Sequence, residues 1–207
     1  MKTLNWFIVL ILYSGAVLVP ASVATAGEPT TAMRSTFDQV LVIVRKPASE
    51  TNADHRYQKI WDVLYSRFDP AEMARRTLAT HWKDRSPEER EEFIDLFVQL
   101  LFNSYVKKVE DYLSDTVEWS HERIRGIHAE VRTKILNKGK SLSVDYRMIQ
   151  SAAGWRVYDV VIEGVSLVRN YRTQFHRIIT ASGYGALVDL MRKKQSDRAR
   201  RASQLKG

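Results

Sequence analysis

From Met33 to about Tyr112 apolar residues recur at intervals of three and four, and from Thr116 the interval shortens to two. That switch predicts helices followed by strands. Met33, Phe37, Val40, Leu41 and Val44 mark a first helix after the polar lead Glu28 to Thr31, with Pro47 ending it. A second helix is expected from about Ala53 to Arg67, burying Tyr57, Ile60, Trp61 and Leu64, with Phe68 just beyond. Asp69-Pro70 has the form of a helix start, an acceptor at the N-cap and proline at the first helical position. The short helix that follows presents Met73, Ala74, Thr77 and Leu78 on one face. Ser86-Pro87-Glu88-Glu89 is a capping box for a longer helix reaching about Tyr112. Its Phe93 to Phe102 stretch is apolar nearly all round, so it needs cover on several sides, from protein or from a bound ligand.

Strands are predicted over Thr116 to Ser120, Ile124 to Leu136, Ser141 to Gln150 and Trp155 to Glu163, with turns at Asn137 to Lys140 and Ser151 to Gly154. Leu142 to Met148 alternates, so one face is buried; Val157, Tyr158, Val160, Val161 and Ile162 are dense enough to suggest cover on both faces. Helical spacing returns at Val165, Leu167, Val168, Tyr171, Phe175, Ile178 and Ile179. Gly183-Tyr184-Gly185 interrupts it before a short last helix at Leu187, Leu190 and Met191. Helices, an antiparallel meander of about four strands, then helices: the fold class is α+β.

The N-terminus changes the picture of where this chain works. Lys2 precedes an uncharged apolar run of 14 residues, Trp6 to Val19, which Pro20 breaks before Ala24-Thr25-Ala26. That is the layout of a cleavable secretory signal, and the run falls short of the ~20 residues that span a bilayer. Residues 1–26 are therefore expected to be removed, leaving one domain over 27–191 and a tail over 192–207. No later stretch is apolar enough to span. The chain has no cysteine, which excludes disulfides, a lipidated N-terminal cysteine, thiol catalysis and cysteine metal sites. The expected compartment is the bacterial periplasm.

The net charge is +8, of which only Lys2 leaves with the signal. Such a balance favours anionic partners, for an exported protein a membrane surface rather than nucleic acid. Arg192, Lys193, Lys194, Arg198, Arg200 and Arg201 crowd the tail against a lone Asp197. The tail is either a solvated, frayed end or an electrostatic contact with a membrane.

Catalytic chemistry is hard to find. His55, His81, His121, His128 and His176 include no helical i, i+4 metal pair and no H-E-x-x-H. His121 and His128, seven apart, fall on opposite faces of an uninterrupted strand. Ser166 follows Gly164-Val165 without the glycine that completes a nucleophile elbow. Acid pairs Glu88-Glu89 and Glu91-Glu92 suit a helix start. Asp145 and Asp159 alternate with apolar residues and are the remaining candidates for a cavity-facing carboxylate, which leaves a hydrolase or isomerase as one rival reading and a basic adaptor at a membrane surface as another.

Two blocks carry a resemblance. Phe68-Asp69-Pro70-Ala71-Glu72-Met73-Ala74-Arg75-Arg76, with His81-Trp82 and Ser86-Pro87-Glu88-Glu89-Arg90-Glu91-Glu92-Phe93, resembles the helical signature of the MlaC family, or toluene-tolerance proteins. Gly154-Trp155-Arg156-Val157-Tyr158-Asp159-Val160-Val161-Ile162-Glu163-Gly164-Val165-Ser166-Leu167, continuing through Tyr171-Arg172-Thr173-Gln174-Phe175, resembles its second signature. The match runs from about residue 30 to 195. A sister branch of this family is associated with hopanoid lipids, an alternative cargo for the same fold. The long basic tail and the Gly-Tyr-Gly break depart from the family pattern.

The resemblance implies a non-enzymatic periplasmic carrier that moves phospholipid between an outer-membrane lipoprotein-porin complex and an inner-membrane ABC transporter. It implies a curved sheet and helices around an apolar pocket, and no cofactor other than the lipid cargo. The expected pocket wall is Phe93, Phe97, Leu100, Leu101 and Tyr105 from the long helix. From the sheet and last helix come Val144, Tyr146, Met148, Val157, Val160, Ile162, Val165, Leu167, Tyr171 and Phe175.

Overall fold

A computed structural model describes residues 28–46, 52–113, 116–137 and 139–204. The expected signal, Pro47 and part of the Asn137 to Lys140 turn lie outside them. Helix α1 (Glu28–Val44) buries Pro29, Met33, Thr36, Phe37 and Val40, one stripe at helical spacing. In α2 (Ala53–Arg67) Ile60 is fully buried, whereas Trp61, Leu64 and the following Phe68 are only half-buried, because they border a cavity. Helix α3 (Pro70–Leu78) starts as expected: the Asp69 carboxylate accepts from the Glu72 N–H at 2.9 Å, with Pro70 in the first turn. Its Met73, Ala74, Thr77 and Leu78 are all buried, and a 3-10 turn, Ala79–Trp82, follows. Helix α4 (Pro87–Leu113) opens on the reciprocal box. Ser86 Oγ accepts from the Glu89 N–H at 3.2 Å, and the Glu89 carboxylate accepts from the Ser86 N–H at 2.9 Å.

The sheet has five antiparallel strands in chain order: β1 (Thr116–Arg125), β2 (His128–Asn137), β3 (Lys140–Ser151), β4 (Gly154–Ile162) and the two-residue β5 (Val165–Ser166). The expected continuous strand from Ile124 to Leu136 does not form. Gly126, at φ +57°, turns the chain so that Arg125 pairs with His128. His121 and His128 consequently lie on neighbouring strands, not on one. His121 is opposite Arg132, and His128 neighbours the buried Ala129, so both reach the outer face of the sheet. Register shifts at Ser120 in β1 and Tyr158 in β4 are bulges, and such bulges bend a sheet. The curved inner face presents Ala129, Val131, Thr133, Ile135, Val144, Tyr146, Met148, Val157 and Val160, all buried. Thr133 is tolerated there because its hydroxyl donates to the Val144 carbonyl at 2.8 Å. The outer face is largely polar, and two of its arginines are paired: Arg132 with Glu130 at 2.6 Å, Arg147 with Asp159 at 3.1 Å.

Helix α5 (Leu167–Gln204) is broken at Gly183 (φ 84°, ψ 166°), where the glycine break was expected. Asp159, 3% exposed, ties its start to the sheet by accepting from the Ser166 hydroxyl at 2.7 Å and the Val168 N–H at 3.1 Å. Beyond Arg192, which pairs with Glu92 and Asp189, the backbone stays helical to Gln204. No described helix is long and apolar enough to cross a membrane. Apolar burial divides in two. One cluster packs α1 and Ile60 of α2 on the inner face of the sheet; the other packs α3, α4 and α5 on each other. Phe68 touches both.

Candidate ligand cavity

Between the two clusters lies a partly open cavity of about 500 Å³. Helix α1 contributes Met33, Thr36, Phe37 and Val40, and α2 contributes Trp61, Leu64 and Tyr65. Phe68, Pro70 and Met73 close one end, and Val98, Leu101 and Tyr105 of α4 face Ile135, Leu142, Val144, Tyr146, Val160, Ile162 and Leu167. Among the described residues no charged side chain lines it. Phe37 meets Trp119 edge-on at 5.3 Å and Tyr146 at 5.9 Å, which anchors the deep wall. Trp61 packs on Phe102 at 5.0 Å and on the exposed Tyr65 at 6.2 Å, an aromatic lip between α2 and α4.

The few polar atoms are occupied or neutral. Thr36 donates to the Ala32 carbonyl at 3.0 Å and accepts from Arg67 Nε at 2.9 Å. Burial pushes the Tyr105 phenol up to about 12, with the neighbouring Tyr171 hydroxyl adding to the effect. Burial raises Tyr146 as well, against a smaller lowering from its hydrogen bond with Thr133. Both phenols therefore stay uncharged at neutral pH, and the described wall carries no charge.

The catalytic candidates lie elsewhere. Asp145 and Asp159, on the outer face, do not reach the cavity: their register partners Arg132 and Arg147 stand with them there. Burial raises the Asp145 carboxyl, partly offset by Arg132 at 3.9 Å. Asp159 is consumed by Arg147, Ser166 and the α5 start. His81 and His176 meet on the surface at 3.0 Å, and no cluster of three or more metal-ligating side chains occurs among the described residues.

Of the wall residues expected from sequence, Leu101, Tyr105, Val144, Tyr146, Val160, Ile162 and Leu167 do line the cavity. Phe93, Phe97, Tyr171 and Phe175 instead interlock in the helical cluster. Met148 and Val157 fill the sheet core, Leu100 borders a small cleft against α5, and Val165 is 56% exposed. The largest omission was the α1 and α2 wall. The only sequence signal for it is the apolar stripe of each helix, which is equally the signal of an ordinary core.

Comparison with known proteins places this geometry in context. A family model described as MlaC protein matches residues 34–193. The intermembrane phospholipid transport system binding protein MlaC of Haemophilus influenzae is 21% identical over 200 residues, covering 93% of this chain and 94% of that protein. A phospholipid-binding protein of Ralstonia solanacearum, solved in complex with a phospholipid, superposes with a TM-score of 0.76 at 24% identity, over 83% of this chain and 99% of the other.

Proposed function

The chain belongs to the MlaC family, and from that premise we propose that it is a phospholipid-binding carrier that holds acyl chains in the cavity between α1, α2, α4 and the sheet. The observation that carries this reading is the cavity's uncharged, almost wholly apolar wall. Each methylene moved out of water contributes about 0.8 kcal/mol, so a diacyl lipid crosses an aqueous gap slowly unless its chains are shielded. A volume of about 500 Å³ lies inside the range of ligand cavities. The Haemophilus relative's role in intermembrane phospholipid transport and the phospholipid bound by the Ralstonia protein support the cargo class.

Carriage needs no bond to break. The acyl chains lie against Phe37, Leu64, Leu101, Val144, Tyr146, Val160 and Ile162 and exclude water, while the head group stays in solvent at the open side. Residues 1–26 act as a cleaved export signal, the mature protein works in the periplasm, and lipid passes between an outer-membrane lipoprotein complex and an inner-membrane ABC transporter. Organic extraction and native mass spectrometry of the purified mature protein test the reading. Stoichiometric diacyl phospholipid is the expected result; a hopanoid would move the protein to the sister branch. An apo protein that takes up no lipid from vesicles would contradict carriage.

A further inference from the structure

Over the 22 residues from Leu167 to Val188, α5 carries no acidic side chain. Arg169, Arg172 and His176 stand at i, i+3 and i+7, hence on one face, with Arg177 beside them, and all four are exposed. Arg172 donates to the Arg76 carbonyl at 2.8 Å. Neither it nor Arg169 nor Arg177 has a carboxylate partner among the described residues. The outer sheet face is the opposite case, since Arg132 and Arg147 there are neutralised by Glu130, Asp145 and Asp159. Unneutralised arginines in a row are an electrostatic feature, whereas a paired ladder is not.

We propose that this outer face of α5, centred on Arg169 and Arg172, docks the protein on an anionic phospholipid bilayer. Two observations favour a bilayer over an acidic protein. The exposed residues from Arg169 to Gly183 are all polar or small, so the face lacks the aromatic or aliphatic anchor on which protein interfaces depend. A charged lipid surface needs only basic groups within its double layer. The face also adjoins the cavity: Leu167, two residues before Arg169, lines it, and Tyr171, between the two arginines, bonds the cavity residue Tyr105. The purpose of docking rests on the carrier reading; the charge geometry does not.

Co-sedimentation of the purified protein with phosphatidylcholine vesicles, with and without phosphatidylglycerol, tests the inference. The wild type is expected to bind the anionic vesicles at least about tenfold more tightly, and to release as salt rises. Arg169→Glu with Arg172→Glu should remove about tenfold or more of that affinity. Arg169→Gln with Arg172→Gln, folded by circular dichroism, should lose an intermediate amount. The control Arg125→Glu with Lys134→Glu makes the same charge change at exposed sheet positions and should bind like wild type. Failure of the wild type to bind anionic vesicles, wild-type binding by the Arg169/Arg172 reversal, or equal losses in both reversals would each overturn the docking face. Lipid extraction of the purified protein before it meets vesicles separates the two readings, because vesicle binding by a protein without copurified phospholipid supports the face and contradicts the carrier.

Discussion

The helical cluster and the cavity wall are made of the same kinds of residue and finish in opposite states. In the helical cluster Phe93 and Phe97 stack at 6.0 Å, Phe175 meets Phe93 edge-on at 5.9 Å, and Tyr171 meets Phe97 at 5.5 Å. Both Phe93 and Phe97 are 0% exposed. Across α2 and α1, Trp61, Leu64, Phe37 and Val40 leave a void beside Val144 and Tyr146. Helices α4 and α5 interlock aromatic side chains across their interface, whereas the end of α2 is tied to α1 and β4 by polar bonds. Arg67 reaches Thr36 and the Trp155 carbonyl, each at 2.9 Å, Arg156 donates to the Ser66 carbonyl at 2.6 Å, and the Asp69 N–H donates to the Val157 carbonyl at 2.8 Å. Burial, with Arg156 nearby, lowers the Arg67 pKa, so that side chain is held by carbonyls at some electrostatic cost. Apolar residues make both regions; beside the cavity, polar struts fix the end of α2.

The sharpest way to break this contrast is to truncate one member of each. Phe97→Ala in the filled cluster should cost about 3–5 kcal/mol, while Leu64→Ala, already facing the void, should cost less than about 2 kcal/mol. Urea denaturation reads both, and equal losses would erase the distinction. Next in size, Arg67→Met should cost about 1–3 kcal/mol, because the Thr36 and Trp155 acceptors lose their donor. It should also reduce the phospholipid that copurifies; wild-type stability and loading would show that the strut is dispensable.

A polar group placed in the wall tests location directly. Leu142→Asn should leave a folded protein with copurified phospholipid cut at least about twofold, since an unpaired amide in an apolar cavity costs about 1–3 kcal/mol. Leu100→Asn, on the α4–α5 cleft, should keep its lipid. Lipid phosphorus per protein measures both, and the reverse pattern would put the cargo site in the cleft. The smallest effect concerns pH. The hydrogen bond from Arg75, partly opposed by burial and helped by Arg76, holds the Glu72 carboxyl below its ordinary value. A lowered pKa contributes stability above the ordinary carboxylate range, and that contribution fades as pH falls through it. Glu72→Gln should therefore lose less than about 1 kcal/mol at pH 7, and the difference from wild type should shrink toward acid. Thermal unfolding across pH reads the sign.

Where the chain signals locally, the sequence was a good guide. Asp69-Pro70 and Ser86 to Glu89 start helices because their side chains satisfy N–H groups a few residues away, and that chemistry is visible in the sequence. The hairpin at Gly126 was hidden because Ile127, 55% exposed at its tip, is in phase with the apolar alternation of Ala129 and Val131 that follows it. The cavity was half-legible for a different reason. Ile60 and Leu64 sit one turn apart on α2 and satisfy the same periodic pattern, yet Ile60 is 0% exposed in the core while Leu64 borders the void. Phe93 and Phe97 carried the strongest apolar signal and proved to be core, because α5 supplies Phe175 and Tyr171 to cover them. Burial demand is written in one helix; whether the partner is protein or empty space is decided by another.

Photo-crosslinking tests the central claim most directly. The protein would be loaded with a phospholipid bearing a diazirine on its acyl chain, irradiated and mapped by peptide mass spectrometry. Adducts on Phe37, Leu64, Leu101, Val144 or Tyr146 are the predicted result. Adducts confined to the α4–α5 cleft around Leu100 and Met191, or to the outer face of the sheet, would contradict the assignment of the cavity as the acyl-chain site.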